Sequence, residues 1–159
     1  MAAINADPEV MRWIRDGSVR DEQQTRDGIR AWEREWESQG FGLFAMEIRS
    51  TGELVGFTGL SVPHFLPEVL PAVEVGWRLG RSHWGQGLAT EAAAAVVRFA
   101  FEERGLERIV SITQVGNDAS ERIMTKMGMH PVRETVHPTG GRRVRVFELS
   151  SDEYLTTTR

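Results

Sequence analysis

The 159-residue sequence has no cysteine, which excludes disulfides, a thiol nucleophile and thiolate metal sites and suits a reducing, cytoplasmic setting. It has no apolar run near the ~20 residues a spanning helix needs, so no membrane segment is expected. Met1 to Val10 lacks a basic stretch followed by an apolar one, so no signal peptide is read there. Positive charge is not in excess. The formal net charge is −4, and a nucleic-acid partner, which calls for a basic footprint, is not expected. The four histidines, His64, His83, His130 and His137, show no metal-ligand spacing, and no Ser/His/Asp elbow occurs, so neither a metal nor a covalent acyl-enzyme is expected. Repeats, linkers and low-complexity segments are missing too. What remains, 40% hydrophobic and 26% charged residues, is the composition of one globular domain over residues 1–159.

Hydrophobic periodicity orders the elements as helix, helix, strand, strand, strand, helix, strand, helix, strand, strand. Asp7 and Pro8 can cap and open a short turn of helix over residues 7–14. Ile29, Trp32 and Trp36 fall at helical spacing within residues 20–38. Residues 41–48 and 53–62 make a hairpin around Arg49-Ser50-Thr51-Gly52, followed by a proline-rich loop over 63–71. Residues 72–79 alternate cleanly: Val73, Val75, Trp77 and Leu79 face one way, while Glu74, Gly76 and Arg78 face the other. The longest helix is expected over 88–104, stopped by Gly105, and strand 108–115 follows it. Asn117 caps a helix ending at Gly128, and strands 129–136 and 142–149 close the chain. A helical crossover between strands 72–79 and 108–115 makes that pair parallel. The fold class is therefore α/β.

One segment carries chemistry. The strand ending at Leu79 leads into a turn holding Gly85 and Gly87, and that turn opens directly into the long helix. The first turn of a helix has unpaired N–H groups and a partial positive charge, and glycines admit a ligand close to the backbone. This is a pyrophosphate cradle, although a tight turn needing glycine for geometry alone reads the same way. A P-loop is excluded, because Leu88-Ala89 stands where Lys-Ser/Thr is required. The dinucleotide fingerprint lacks its third glycine, with Thr90 in that place.

Trp84-Gly85-Gln86-Gly87-Leu88-Ala89 resembles the coenzyme A signature of the GNAT acetyltransferase superfamily, usually Gln/Arg-x-x-Gly-x-Gly/Ala. Gly87 and Ala89 match, while Trp84 stands in place of Gln/Arg. Tryptophan followed by Gly-x-Gly-x-Ala-Thr-Glu-Ala resembles the branch of Rim-type, ribosomal-protein N-terminal acetyltransferases. Asp7-Pro8-Glu9-Val10-Met11, the hairpin end Leu54 to Leu60, and Asn117 to Ser120 leading to Lys126-Met127-Gly128 extend the likeness over roughly residues 7–149.

The resemblance implies a GNAT fold, a mixed and mostly antiparallel sheet with a splayed parallel strand pair, flanked by helices. It implies acetyl-CoA as co-substrate and an amine acceptor, a peptide N-terminus or a small amine, and it leaves a homodimer open. Pantetheine would pair with the strand end from Trp77 to Leu79, and the pyrophosphate would lie on N–H groups from Gly85 through Gln86, Gly87, Leu88, Ala89 and Thr90. These contacts run mostly through backbone, so the Gln86 side chain should matter little. Asn117 resembles the position that bonds the pantetheine arm, and it reads equally well as a plain helix cap. Glu74 is the candidate general base, with His83 and His64 as weaker ones. Ser120 is the candidate hydroxyl for the departing thiolate, although a capping role suits it as well. Tyr154, the only tyrosine, does not match the tyrosine acid of other branches.

The sequence departs from the family at its start. Asp-Pro-Glu-Val arrives at residue 7, so the family's opening strand and most of its first helix are expected to be missing. Trp32 and Trp36 then become candidates to line the acceptor pocket, besides packing in the core. Competing readings are a catalytically silent acyl-CoA sensor, a fragment that works with a partner chain, and a nucleotide-binding module.

Overall fold

The computed structural model describes residues 1–157. Two short helices, α1 (Ala2–Asn5) and α2 (Pro8–Met11), open the chain, and the Asp7 carboxylate caps α2 by accepting from the Glu9 N–H at 2.9 Å. Helix α3 (Glu22–Gln39) begins in a reciprocal capping box. Asp21 accepts from the Gln24 backbone and the Gln24 side chain accepts from the Asp21 N–H. Gly40, left-handed at φ 69°, ends it.

Strands β1 (Leu43–Glu47) and β2 (Leu54–Ser61) form the expected hairpin, and β3 (Val73–Leu79) pairs antiparallel with β2. Helix α4 (Leu88–Arg98) crosses over to β4 (Arg108–Gln114). It was expected to run to residue 104. Instead residues 99–103 widen into π-helical turns, in which the Arg104 N–H reaches back five residues to the Phe99 carbonyl. Helix α5 (Asp118–Lys126), strands β5 (His130–Val136) and β6 (Arg143–Ser150), and helix α6 (Ser151–Thr157) complete the chain. Helices α1 and α6 escaped the sequence reading, because four and seven residues carry too little periodicity to register.

The sheet order is β1-β2-β3-β4-β6-β5, antiparallel throughout except for β3 and β4. Among the described residues no strand precedes β1, which lies at one edge of the sheet. Val75 on β3, Leu60 on β2, Ile109 on β4 and Leu149 on β6 bury against Val96, Val97 and Ala100 of α4 and its continuation, with Met124 of α5. The opposite face of β2 and β3 carries Ser61 beside Glu74, Gly59 beside Gly76 and Phe57 beside Arg78. That face is left for the site, as the alternation of β3 predicted.

Candidate active site

The parallel pair holds only at its start. Val73 sits beside Ile109 and Glu74 beside Val110, and there the pairing stops, although β3 runs on to Leu79 and β4 to Gln114. Residues 75–79 and 111–114 therefore border an open wedge. A side chain takes over where the ladder ends, because the Glu74 carboxylate accepts the Ile112 N–H.

Two cavities meet in this wedge. The first, about 380 Å³, runs from the wedge to the mouth of α4 and is lined by Trp77, Leu79, Gly85, Gly87, Leu88, Ala89 and Thr90 on one side. Asn117, Ser120, Arg122 and Lys126 of α5 and its cap line the other. The second, about 260 Å³, opens on the far face of β3 and contains Glu74, Gly76, Arg78, Trp32, Phe57 and His137. Trp13, Ile14, Trp77, Arg78, Asn117 and Ser120 line both, so the cavities join at those six residues.

The mouth of α4 is built to receive an anion. Gly87 is the N-cap and no side chain caps the helix, so its first N–H groups point into the groove. Gly85 and Gly87 hold left-handed backbone at φ 72° and 80°, and a Cβ on either would meet no protein atom within 4 Å. These positions need glycine for conformation and leave free space in front of them. Arg122, unremarked in the sequence, and Lys126 add positive charge from the opposite wall. A diphosphate-bearing coenzyme fits this combination of uncapped amides, bare glycines and facing cations.

The departure at Trp84 also has a physical explanation. Its indole N–H donates to the Leu79 carbonyl at 3.0 Å, tying the glycine turn back onto the last residue of β3. Gln86 is expected to contribute its backbone N–H and not its side chain. Its side chain turns away and donates to the Ser82 carbonyl at 3.1 Å, and it does not line the groove.

The proton-transfer candidates come together. Burial, with a smaller push from the Glu35 carboxylate, raises the Glu74 pKa to about 8 against the opposing Ile112 N–H. Ser120 sits in the first turn of α5, where Asn117 accepts its backbone N–H at 3.4 Å and donates from Nδ2 to its Oγ at 3.2 Å. Asn117 is thus a helix cap whose other end reaches the hydroxyl. His137, missed in the sequence because it follows an ordinary strand end, is buried in the wall of the second cavity. It stacks on Phe65 and accepts the Thr139 N–H at Nδ1, which leaves its proton on Nε2.

The other candidates fall outside this chemistry. His83 lines the first cavity, 3.4 Å from Glu53, and His64 is exposed on its loop. Trp32 lines the second cavity and packs on Phe57, whereas Trp36 packs on Phe44 and donates to the Leu43 carbonyl. Tyr154 lies on α6, bonded to Glu102 and stacked on Phe101, and lines neither cavity. Among the described residues no three acidic or histidine side chains converge on a metal position, and no helix is long and apolar enough to cross a membrane.

Comparison with known proteins agrees with this geometry. The chain is 36% identical to the protein YkkB of Bacillus subtilis over 124 residues, spanning 78% of this chain and 70% of that one. Its fold superposes on an acetyltransferase (GNAT family) from Bacillus anthracis with a TM-score of 0.75 at 24% identity, covering 94% of this chain and 86% of that one. It superposes likewise on yncA from Salmonella typhimurium, solved with its cofactor acetyl-CoA, with a TM-score of 0.74 at 16% identity over 95% and 87% of the two chains. Residues 1–130 match the acetyltransferase (GNAT) domain family, and with the splayed strands and the helix mouth in place, the chain belongs to that family of acetyltransferases.

Proposed function

We propose that this chain transfers an acetyl group from acetyl-CoA directly to a primary amine. The observation that carries the reading is the junction of the two cavities at Trp77, Arg78, Asn117 and Ser120, which lets a donor in one groove meet an acceptor in the other. The coenzyme supplies an acetyl group activated as a thioester. Its diphosphate would rest on the amides of residues 85–90, opposite Arg122 and Lys126, and its arm would lie along residues 77–79 and Asn117.

The protein's part is proton management and positioning. A lysine-like amine has a pKa of ~10.4 and an α-amine ~8, so at neutral pH the attacking nitrogen must first lose a proton. Glu74 is the base in this reading, because its raised pKa lies close to that of the group it deprotonates. Ser120 donates its hydroxyl proton toward the leaving sulfur, its oxygen already engaged by Asn117.

The test is release of free coenzyme A thiol from acetyl-CoA against a panel of amines. Turnover with at least one amine supports the reading. Tight coenzyme binding with no thiol release against any amine would make the chain an acyl-CoA sensor instead.

A further inference from the structure

The acceptor cavity carries a charge opposite to that of the molecule. The chain is net −4, yet Arg15, Arg20 and Arg78 line this cavity with Glu74 as its only carboxyl group. Among the described residues none of the three arginines has an Asp or Glu oxygen within 4 Å. The nearby Asp16 is occupied by Ser18, whose N–H and hydroxyl it accepts at 3.0 and 2.7 Å.

Arg78 is held firmly and left incomplete. Its guanidinium lies over the Phe57 ring at 5.0 Å, and Nη1 donates to the Asn5 amide oxygen at 2.8 Å. Asn5 is itself fixed, buried and donating to Thr25 at 3.1 Å. The Arg78 Nε is buried without any acceptor. Desolvation, with repulsion from Arg20 and Arg15, draws the Arg78 pKa down to about 10. A buried N–H with no partner carries a desolvation penalty of ~1–3 kcal/mol, and such groups call for an explanation.

The other two arginines are placed with similar care. Arg15 adopts φ 50°, a left-handed conformation unusual for a side-chain-bearing residue. Its carbonyl accepts from Gln114 Nε2 at 2.8 Å, and Arg142 clamps the same segment through the carbonyls of Arg12 and Asp16. Arg20 is tied through its backbone N–H to the Asn5 carbonyl at 2.9 Å. Gly76 lies between Glu74 and Arg78 on the same strand face, and a Cβ there would meet nothing within 4 Å. The floor between acid and guanidinium is bare.

We infer that the acceptor is a primary amine that also carries a carboxylate, with its nitrogen toward Glu74 and its carboxylate on the Arg78 guanidinium, backed by Arg15 and Arg20. This rests on the amine-acetylation reading above and names its substrate class. A guanidinium pairs with a carboxylate through two parallel N–H donors, and among the described residues no carboxylate pairs with any of these three arginines. A diamine or polyamine would instead bring a second cation against three others.

The test compares acceptors that differ only in the carboxylate. Thiol release from acetyl-CoA is measured with α-amino acids and β-alanine, with their carboxamides, and with putrescine. The acids should exceed their amides in kcat/KM by about tenfold or more, and R78Q should collapse that ratio to about one. R20Q, on a less buried side chain, should reduce the ratio several-fold and serves if R78Q does not fold. Amides or putrescine preferred by the wild type, or a ratio unchanged in both variants, would overturn the inference while leaving amine acetylation standing. If no amine is acetylated, the functional reading fails instead, and calorimetry with N-acetyl-β-alanine and its amide on the coenzyme-bound protein decides the anion site. Tighter binding of the acid supports it, and equal or weaker binding overturns it.

Discussion

Asn117 and Ser120 are joined twice, by the Asn117 Oδ1 accepting the Ser120 N–H and by the Asn117 Nδ2 donating to the Ser120 hydroxyl oxygen. The first bond caps α5 and fixes which way the amide faces, since a backbone N–H can only donate. The second bond then follows, and it leaves the Ser120 proton free to point elsewhere. One residue thereby starts a helix and orients a hydroxyl at the junction of the two cavities.

If Asn117 acts on turnover through Ser120, their effects will not add. S120A should lower kcat by roughly 10–100-fold with little change in Tm, as expected for a lost proton donor. N117A should lower kcat too, and should also lower stability by ~1 kcal/mol through loss of the cap. The double variant should have a kcat close to that of S120A alone. Steady-state kinetics with thermal melts on the three proteins checks this, and fully additive losses in kcat would separate the two residues.

Glu74 predicts a pH dependence in both activity and stability. With its pKa near 8, kcat/KM should climb about tenfold per pH unit below that value and level off above it. E74Q should be slower by about 100-fold or more at its best pH, and its profile should lose that limb. The folded state holds this proton more tightly than the unfolded chain, in which a glutamate has its ordinary pKa of 4.5. Its contribution to stability is therefore full below pH 4.5 and is lost as pH rises toward 8. The Tm of E74Q should gain on the wild type between pH 5 and pH 8, and melts across that range would reveal a constant gap if Glu74 titrates normally.

Gly85 and Gly87 should tolerate no side chain despite the open space around them. G85A or G87A forces a left-handed backbone onto alanine at ~1–2 kcal/mol. A Cβ would also stand in front of the α4 amides. Each should lower Tm and weaken coenzyme A binding by about tenfold, read by calorimetry. Unchanged affinity would move the diphosphate away from this turn.

Trp84 should matter through one hydrogen bond and the packing of its ring. W84F keeps an aromatic ring but loses the bond to the Leu79 carbonyl, at a net ~1 kcal/mol. Coenzyme affinity should fall several-fold while the acid-to-amide preference stays as it is. Q86A should change neither, because that side chain points at Ser82.

The periodicities of the chain carried the fold a long way. Alternation over residues 72–79 told which side of β3 would be buried, because a strand's side chains alternate whatever surrounds it, and Val75 and Glu74 lie as that alternation requires. Gly85, Gly87 and the helix after them were legible as a left-handed turn opening into an uncapped helix mouth, because both are local properties written in adjacent residues. Other features had no such local signature. Arg78, Arg20 and Arg15 are ordinary charges in a linear reading, and His137 an ordinary strand-end histidine. Only the packing of α1, α3 and the residue 12–20 segment over β3 brings them into one cavity and leaves the Arg78 Nε buried without a partner. Local conformation is set by neighbours along the chain, so sequence fixes it. Charge in a cavity depends on groups as distant as Asn5 and Arg78, and burial multiplies their interactions, so only the tertiary structure decides it.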